Sequence, residues 1–233
     1  MGTPTPVRRL FLFDIDGTLI TSGGAGERSL RMALQRYFNI VDDLSMVEIA
    51  GRTDASIAHR VFEIHGIENT PENILGFFDS YLQCLAEELP LSPGRLLPGI
   101  VQLLDALKAN PEVALGLLTG NLERGAKLKL THYGVWQYFE FGAYADDHRD
   151  RNALGPFAQK RAKEKHGIDF APEHIFVLGD TPHDISCARA IGAKAVAIAT
   201  GGFNSAELAA CSPDFLFEDL SDVGSVLNAL LGT

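Results

Sequence analysis

Short apolar runs that stop at turn residues recur along the chain at Leu10–Phe13, Val113–Leu118, Ile175–Leu178, Ala195–Ile198 and Phe215–Phe217. Such runs, without polar alternation, predict strands buried on both faces. Helical patterns separate most of them. Ile100, Leu103, Leu104 and Leu107 fall at i, i+3, i+4 and i+7, opened by Pro98-Gly99 and closed by Asn110-Pro111. Strand and helix in alternation predict an α/β fold on a parallel sheet.

Residues from about Gly23 to Pro93 break the alternation. Leu30, Ala33, Leu34, Tyr37 and Phe38 form one helical stripe, and Ile57, Ala58, Val61 and Phe62 a second. Ile74, Phe77, Phe78, Tyr81, Leu82, Leu85 and Leu89 form a third. Three apolar stripes suffice for a small helical bundle. The Gly23-Gly24-Ala25-Gly26 run and the stretch 91–94 read as joints between domains. The expected layout is an α/β core over 1–22 and 94–233, with a helical insert over 23–93.

The length of 233 residues fits one core with a modest insert. Thirty acidic against twenty basic residues give a net charge of −10, which disfavours nucleic acid or an anionic membrane as partner. An anionic ligand must then be met by local groups: a metal, an arginine or backbone amides. Cys84, Cys187 and Cys211 are odd in number and widely spaced, as expected of reduced thiols in the cytoplasm. No apolar stretch approaches eighteen residues. Residues 1–10 lack the apolar segment of a secretory signal, and Pro6 stands where a myristoylation site at Gly2 needs Ser or Thr. A monomer is the default expectation.

Candidate chemistry collects where strands end. Phe11-Leu-Phe-Asp-Ile-Asp-Gly-Thr-Leu19 stops a hydrophobic strand at two carboxylates with period-two spacing, putting Asp14 and Asp16 toward one side at the carboxyl end of a buried strand. Leu117-Leu-Thr-Gly-Asn121 ends another in a hydroxyl and free amides suited to phosphoryl oxygens; a simple turn and N-cap would look the same. In Val177-Leu-Gly-Asp-Thr-Pro-His-Asp184, Asp180 ends a third strand. Asp184, four residues on, is either part of a cation site or a first-turn acid stabilised by its helix dipole. Hard oxygen ligands from Asp14 and Asp180 suit Mg²⁺, and a carboxylate nucleophile beside it suggests phosphoryl transfer.

These three segments resemble motifs one, two and four of the haloacid dehalogenase-like hydrolase superfamily, in the order and with the long first gap of its helical-cap members. The resemblance spans essentially the whole chain and implies a Rossmann-like three-layer core with a cap. It implies that Asp14 attacks phosphorus and that Asp16 protonates the leaving alcohol and then activates water. Thr119, Gly120 and Asn121 would hold phosphoryl oxygens. Asp14, the backbone carbonyl of Asp16, and Asp180 would bind Mg²⁺, with Asp184 in support. Motif three departs from the pattern: where the family usually has Lys, the matching stretch is Arg151-Asn-Ala-Leu-Gly-Pro-Phe157. Arg151 would supply the positive charge in a bidentate way, with Arg149 and Lys160 as other candidates. The basic run Lys160, Arg161, Lys163 and Lys165 reads as a solvated helix face.

Similar dehalogenases have a non-acidic residue in place of Asp16, so the resemblance favours phosphate esters and the phosphoglycolate phosphatase group. Ala50-Gly-Arg-Thr-Asp54 is similar to the family's substrate-facing cap loop, where Arg52 would meet an anionic part of the substrate, while Thr53 or Asp54 equally reads as a helix cap. His183 is the one histidine near the expected site. The expected function is Mg²⁺-dependent hydrolysis of a small phosphorylated metabolite. The alternatives are a sugar phosphomutase, though residues 23–28 hold no histidine, and a non-catalytic metabolite-binding member.

Overall fold

The structure is a computed structural model that describes residues 8–232. The reading of Gly2 and Pro6, and most of that of the N-terminal stretch, lies outside the described residues. In chain order the elements are β1 (Arg9–Phe13), β2 (Ile20–Thr21), α1 (Ala25–Phe38), α2 (Asp54–His65), α3 (Pro71–Glu88), β3 (Arg95–Leu96), α4 (Ile100–Ala109) and β4 (Val113–Leu118). They continue with α5 (Glu123–His132), β5 (Gly142–Ala143), α6 (Gly155–His166), β6 (Ile175–Gly179), α7 (Pro182–Ala190), β7 (Lys194–Ile198), α8 (Ser205–Ala210), β8 (Phe215–Phe217) and α9 (Val223–Leu231).

Six strands form one sheet in the order β5-β4-β1-β6-β7-β8, every pairing parallel. Alternate side chains feed two apolar layers. Phe11, Phe13, Leu115, Leu117 and Leu178 pack on one face against α4, α5 and α9. Leu10, Leu12, Ala114, Leu118 and Val177 pack on the other against α6, α7 and α8. This is the expected α/β three-layer core. Strand β1 lies at its centre, paired with β4 on one side and β6 on the other. The chain order therefore reverses at β1, and such a switch point opens a crevice beyond the carboxyl ends of the strands.

Helices α1, α2 and α3 bury a third apolar cluster of their own, with Leu34, Val61, Phe62, Phe77 and Leu85 at its centre. Leu122 and Ala145, from the loops after β4 and β5, complete it. The helical segment therefore rests on the rim where the crevice opens. Its two chain crossings are joined by β2 and β3, an antiparallel ribbon of two residues on each side that the sequence pattern does not predict. Arg28 ties the same crossings together, bonding Gly23 O at 2.9 Å, Glu88 Oε2 at 2.8 Å and Ser92 Oγ.

The basic run on α6 is largely a solvated face, with one exception. Arg161 forms two 2.6 Å bonds to Asp147 and donates to Gly142 O, so it braces the loop that follows β5. The aromatic pair at the sheet's centre is a direct test of the packing. Phe11 is fully buried and stacked on Phe176 at 4.8 Å between ring centroids. Phe11→Ala is expected to cost about 3–5 kcal/mol of unfolding free energy, read from urea denaturation.

Candidate active site

The turn after β1 starts the site. Asp14 N donates to Leu178 O at 2.9 Å, carrying the sheet one residue further, and the chain then turns through Gly17 at φ 82°. A Cβ at Gly17 would collide with the Asp180 carboxylate, so this position favours glycine on two counts. Asp14, Thr119 and Asp180 sit at the ends of adjacent strands β1, β4 and β6, all 5% exposed or less. Thr18 Oγ1 donates to Asp180 Oδ1 at 3.2 Å.

Arg151 is buried in a short helical turn before α6 and reaches across this cluster. Its Nη2 lies 2.9 Å from Asp14 Oδ1 and also bonds Asp184 Oδ1, while Nη1 donates to Gly51 O at 3.3 Å. Neither other candidate for this place takes it: Lys160 is exposed beside Glu164, and Arg149 offers its carbonyl to Thr53 Oγ1 at 2.5 Å. Asp184 is also the N3 residue of α7. Its Oδ2 accepts from Thr181 N at 3.0 Å and Thr181 Oγ1 at 2.7 Å, closing a capping box. One oxygen of Asp184 thus meets Arg151 and the other caps the first turn of α7.

Asp14, Asp180 and Asp184 each offer a carboxylate oxygen within 4.8 Å of the others. Three buried carboxylates face one guanidinium. Burial, with the charges of Asp184 and Asp14, pushes the Asp180 carboxyl up to about 8. Burial also raises Asp14, against the pull of Arg151. Burial opposes the Arg151 charge, but Asp184 and then Asp14 hold the group firmly protonated. The surplus negative charge and all-oxygen donor set fit a hard divalent cation such as Mg²⁺.

Asp16 lines the same cavity but has other partners. Its Oδ2 accepts from Lys129 Nζ at 2.6 Å and Asn121 Nδ2 at 3.0 Å, and its Oδ1 has no partner among the described residues. Asn121 Nδ2 also donates to Thr119 Oγ1 at 2.9 Å, and its Oδ1 accepts from Lys129 Nζ at 2.6 Å. Both N–H groups of the Asn121 amide are therefore engaged in positioning Asp16 and Thr119. Of the three residues expected to hold phosphoryl oxygens, the Thr119 hydroxyl and Gly120 N–H have no acceptor among the described residues; Gly120 and Asn121 line the cavity, while Thr119 is fully buried.

The loop before α2 lies over the cluster and is stitched to it. Asp54 N donates to Gly120 O at 2.7 Å, and Asp54 Oδ2 accepts from Leu122 N at 2.8 Å. Thr53 Oγ1 accepts from Ser56 N at 3.0 Å, the cap of α2. Arg52 lines the cavity but is paired with Glu48 at 2.9 and 2.5 Å. His183 Nε2 lies 3.2 Å from Glu48 Oε1 and so joins α7 to the same loop. Beneath this loop is a cavity of about 310 Å³, lined by Asp14, Asp16, Gly120, Asn121, Lys129 and Arg151 and, from the helical segment, by Leu30, Ile49, Asp54, Ile57 and Tyr81.

Lys129, 3% exposed, escapes the sequence reading, and Asp54, 6% exposed, is read there only within the cap loop or as a helix cap, not as a partner of the turn after β4. The available signal for Lys129 was its place three residues after Ala126 and beside Leu130 on the buried stripe of α5, where a charge needs a partner.

A model of the haloacid dehalogenase-like hydrolase family matches residues 11–198, and the chain belongs to that family. It is 26% identical over 234 residues to a protein of Dickeya dadantii named "Probable phosphatase IndB", covering 97% of this chain and 96% of that one. It is 24% identical over 226 residues to a phosphoglycolate phosphatase of Agrobacterium fabrum, covering 94% and 92%. Among solved structures it is similar to CbbY of Rhodobacter sphaeroides in complex with phosphate, with a TM-score of 0.74 at 18% identity over 94% of this chain and 97% of that one.

Burial pushes the Asp54 carboxyl up from 3.8 to about 6, overriding the opposing influence of Lys129 and the Leu122 amide. Between those values the folded chain holds a proton that the unfolded chain releases, so this residue's contribution to stability falls as pH rises from about 4 to about 6 and is constant above. Asp54→Asn removes the titration and keeps an acceptor for Leu122 N. Relative to that variant, the wild type should lose up to about 3 kcal/mol between pH 4 and pH 7, measured by denaturant unfolding across pH.

Proposed function

We propose that the protein hydrolyses a small phosphorylated metabolite through an aspartyl phosphate on Asp14, with Mg²⁺ as cofactor. That it is a phosphatase follows from its family and from phosphatase-named relatives aligned along nearly its whole length. The observation that supports the mechanism is that Asp14, held by Arg151, and Asp16, held by Lys129 and Asn121, line one cavity.

Asp14 attacks phosphorus, forming a bond from its carboxylate oxygen as the bond to the leaving alcohol breaks. Asp16, its Oδ2 anchored, delivers a proton from Oδ1 to the departing oxygen. The same oxygen then takes a proton from water, which attacks the aspartyl phosphate and restores Asp14 as phosphate leaves. Thr119 Oγ–H and Gly120 N–H donate to phosphoryl oxygens, and Arg151 balances the charge of Asp14 and the phosphoryl group. When bound, Mg²⁺ would be held by Asp14, Asp180 and the Asp16 carbonyl, with Asp184 beside it, and would neutralise charge developing on the phosphoryl oxygens.

In this reading residues 23–93 act as a cap on a core formed by 1–22 and 94–233. The loop 48–54 covers the phosphoryl end and excludes bulk water, and the joints at β2 and β3 give the hinge for substrate access. The enclosed volume of about 310 Å³ favours a small substrate. Arg52, drawn off by Glu48, is a candidate contact only when substrate displaces that pairing.

Phosphate release from a panel of phosphomonoesters tests the reading. EDTA should abolish release and added Mg²⁺ restore it. Asp14→Asn should lower kcat to background, and Asp16→Asn should lower it by about 10²–10⁴-fold on esters of poor leaving alcohols. Release unaffected by Asp14→Asn would overturn the aspartyl phosphate. Exchange of phosphate between positions of a sugar with little net release would support the mutase alternative instead.

A further inference from the structure

The Lys129 ammonium carries three N–H donors, and two are used, on Asp16 Oδ2 and Asn121 Oδ1. The third has no acceptor among the described residues. It belongs to a side chain 4% exposed, on the wall of the cavity that holds Asp14 and Asp16. A buried donor of this kind is costly unless a ligand or water meets it. Gly26, at the start of α1, leaves the space open: a Cβ there would lie 3.6 Å from Lys129 Nζ and 4.0 Å from Tyr81 Oη.

Tyr81 and Asp54 complete this niche. The Tyr81 hydroxyl makes no hydrogen bond to the described residues, and burial holds it protonated. Asp54 uses Oδ2 on Leu122 N, and its Oδ1 has no partner among the described residues. The niche thus combines a cationic donor, a hydroxyl and a carboxylate acceptor, beside the oxygen of Asp16 assigned to the leaving alcohol. Its two carboxylates, Asp16 and Asp54, share one ammonium. A second anionic group on the substrate would face both of them, whereas a hydroxyl accepts from Lys129 and donates to Asp54.

We propose that Lys129, Tyr81 and Asp54 form the leaving-group subsite and select phosphate esters of polyols or sugars, with a hydroxyl near the ester oxygen, over phosphate esters of short hydroxy acids. This rests on the phosphatase reading. Lys129 is a specificity-determining residue here, contributed by the core helix α5, and it faces Tyr81 and Asp54 of the cap.

The test measures kcat/KM on three probes: glycerol 1-phosphate with a neighbouring hydroxyl, n-propyl phosphate without one, and 2-phosphoglycolate with a neighbouring carboxylate. Wild type should prefer the first over each of the others by about tenfold or more. Lys129→Met and Tyr81→Phe should each shrink the ratio of glycerol 1-phosphate to n-propyl phosphate toward unity, Tyr81→Phe removing only one hydroxyl from the fold. Equal losses on both esters in both variants would overturn the proposal, because a purely structural role lowers all rates together. A wild-type preference for 2-phosphoglycolate would overturn it as well. No turnover even of p-nitrophenyl phosphate with Mg²⁺ would overturn the phosphatase reading, and this inference with it; turnover without discrimination sinks this inference alone.

Discussion

The ion cluster of Arg151 with Asp14 and Asp184 is the constraint on which the site depends. Isolated carboxylates at 5% and 2% exposure would be expensive, and the guanidinium makes their burial tolerable without neutralising all of the charge. One nitrogen, Nη2, meets both acids, while Nη1 reaches a carbonyl of the covering loop, so the guanidinium ties the acids to that loop. Cys187 adds a further tie by donating to Arg151 O at 3.2 Å. What remains is a deficit of positive charge centred on Asp180. Burial and the neighbouring acids raise the Asp180 carboxyl, and this donor set suits a hard cation.

The covering loop answers to the same cluster. Gly51 accepts from Arg151, Thr53 reaches Arg149 O, and Asp54 bonds both ways with the turn after β4. The helical segment is thus seated on backbone groups of the loops that carry the chemistry. Its apolar cluster even borrows Leu122 from the turn that presents Thr119 and Asn121. Displacing the loop therefore disturbs the phosphoryl end directly. In the proposed reaction this would couple closure over a substrate to assembly of the site.

The fold was legible where burial was complete. The strand run 113–118 matches β4 end to end, because a strand covered on both faces must be apolar throughout. The ribbon of β2 and β3 was not legible, since two residues on each side carry no periodicity and pair only because both joints pass one place. In the site, residues beside turn motifs stood out in the sequence, and the structure brings Asp14, Thr119, Arg151, Asp180 and Asp184 together. Lys129 did not stand out, and Asp54 stood out only as part of the cap loop or a helix cap, for each owes its role to a partner far along the chain: Lys129 to Asp16, Asp54 to Leu122. Asn121 was read as a phosphate ligand from its neighbours, but its amide is occupied in aligning Asp16. Arg161 was read as solvated because its neighbours are, yet Asp147 meets it from a loop whose path the sequence does not reveal.

The two ends of the cavity differ in what they ask of a substrate. At the phosphoryl end, the strand termini provide free donors and an acidic cluster suited to a divalent cation, a setting for a doubly charged group. Elsewhere on the wall, Lys129 is the one cation in contact with Asp16 among the described residues, while Leu30, Ile49 and Ile57 supply apolar surface. Asp16 lies at the boundary, one oxygen fixed and one free. A proton can then pass to a leaving oxygen without the carboxylate changing its rotamer, since Lys129 and Asn121 hold the same oxygen throughout. In the proposed reaction this polarity orients the substrate before any bond changes, with phosphate toward Arg151 and the alcohol toward Lys129.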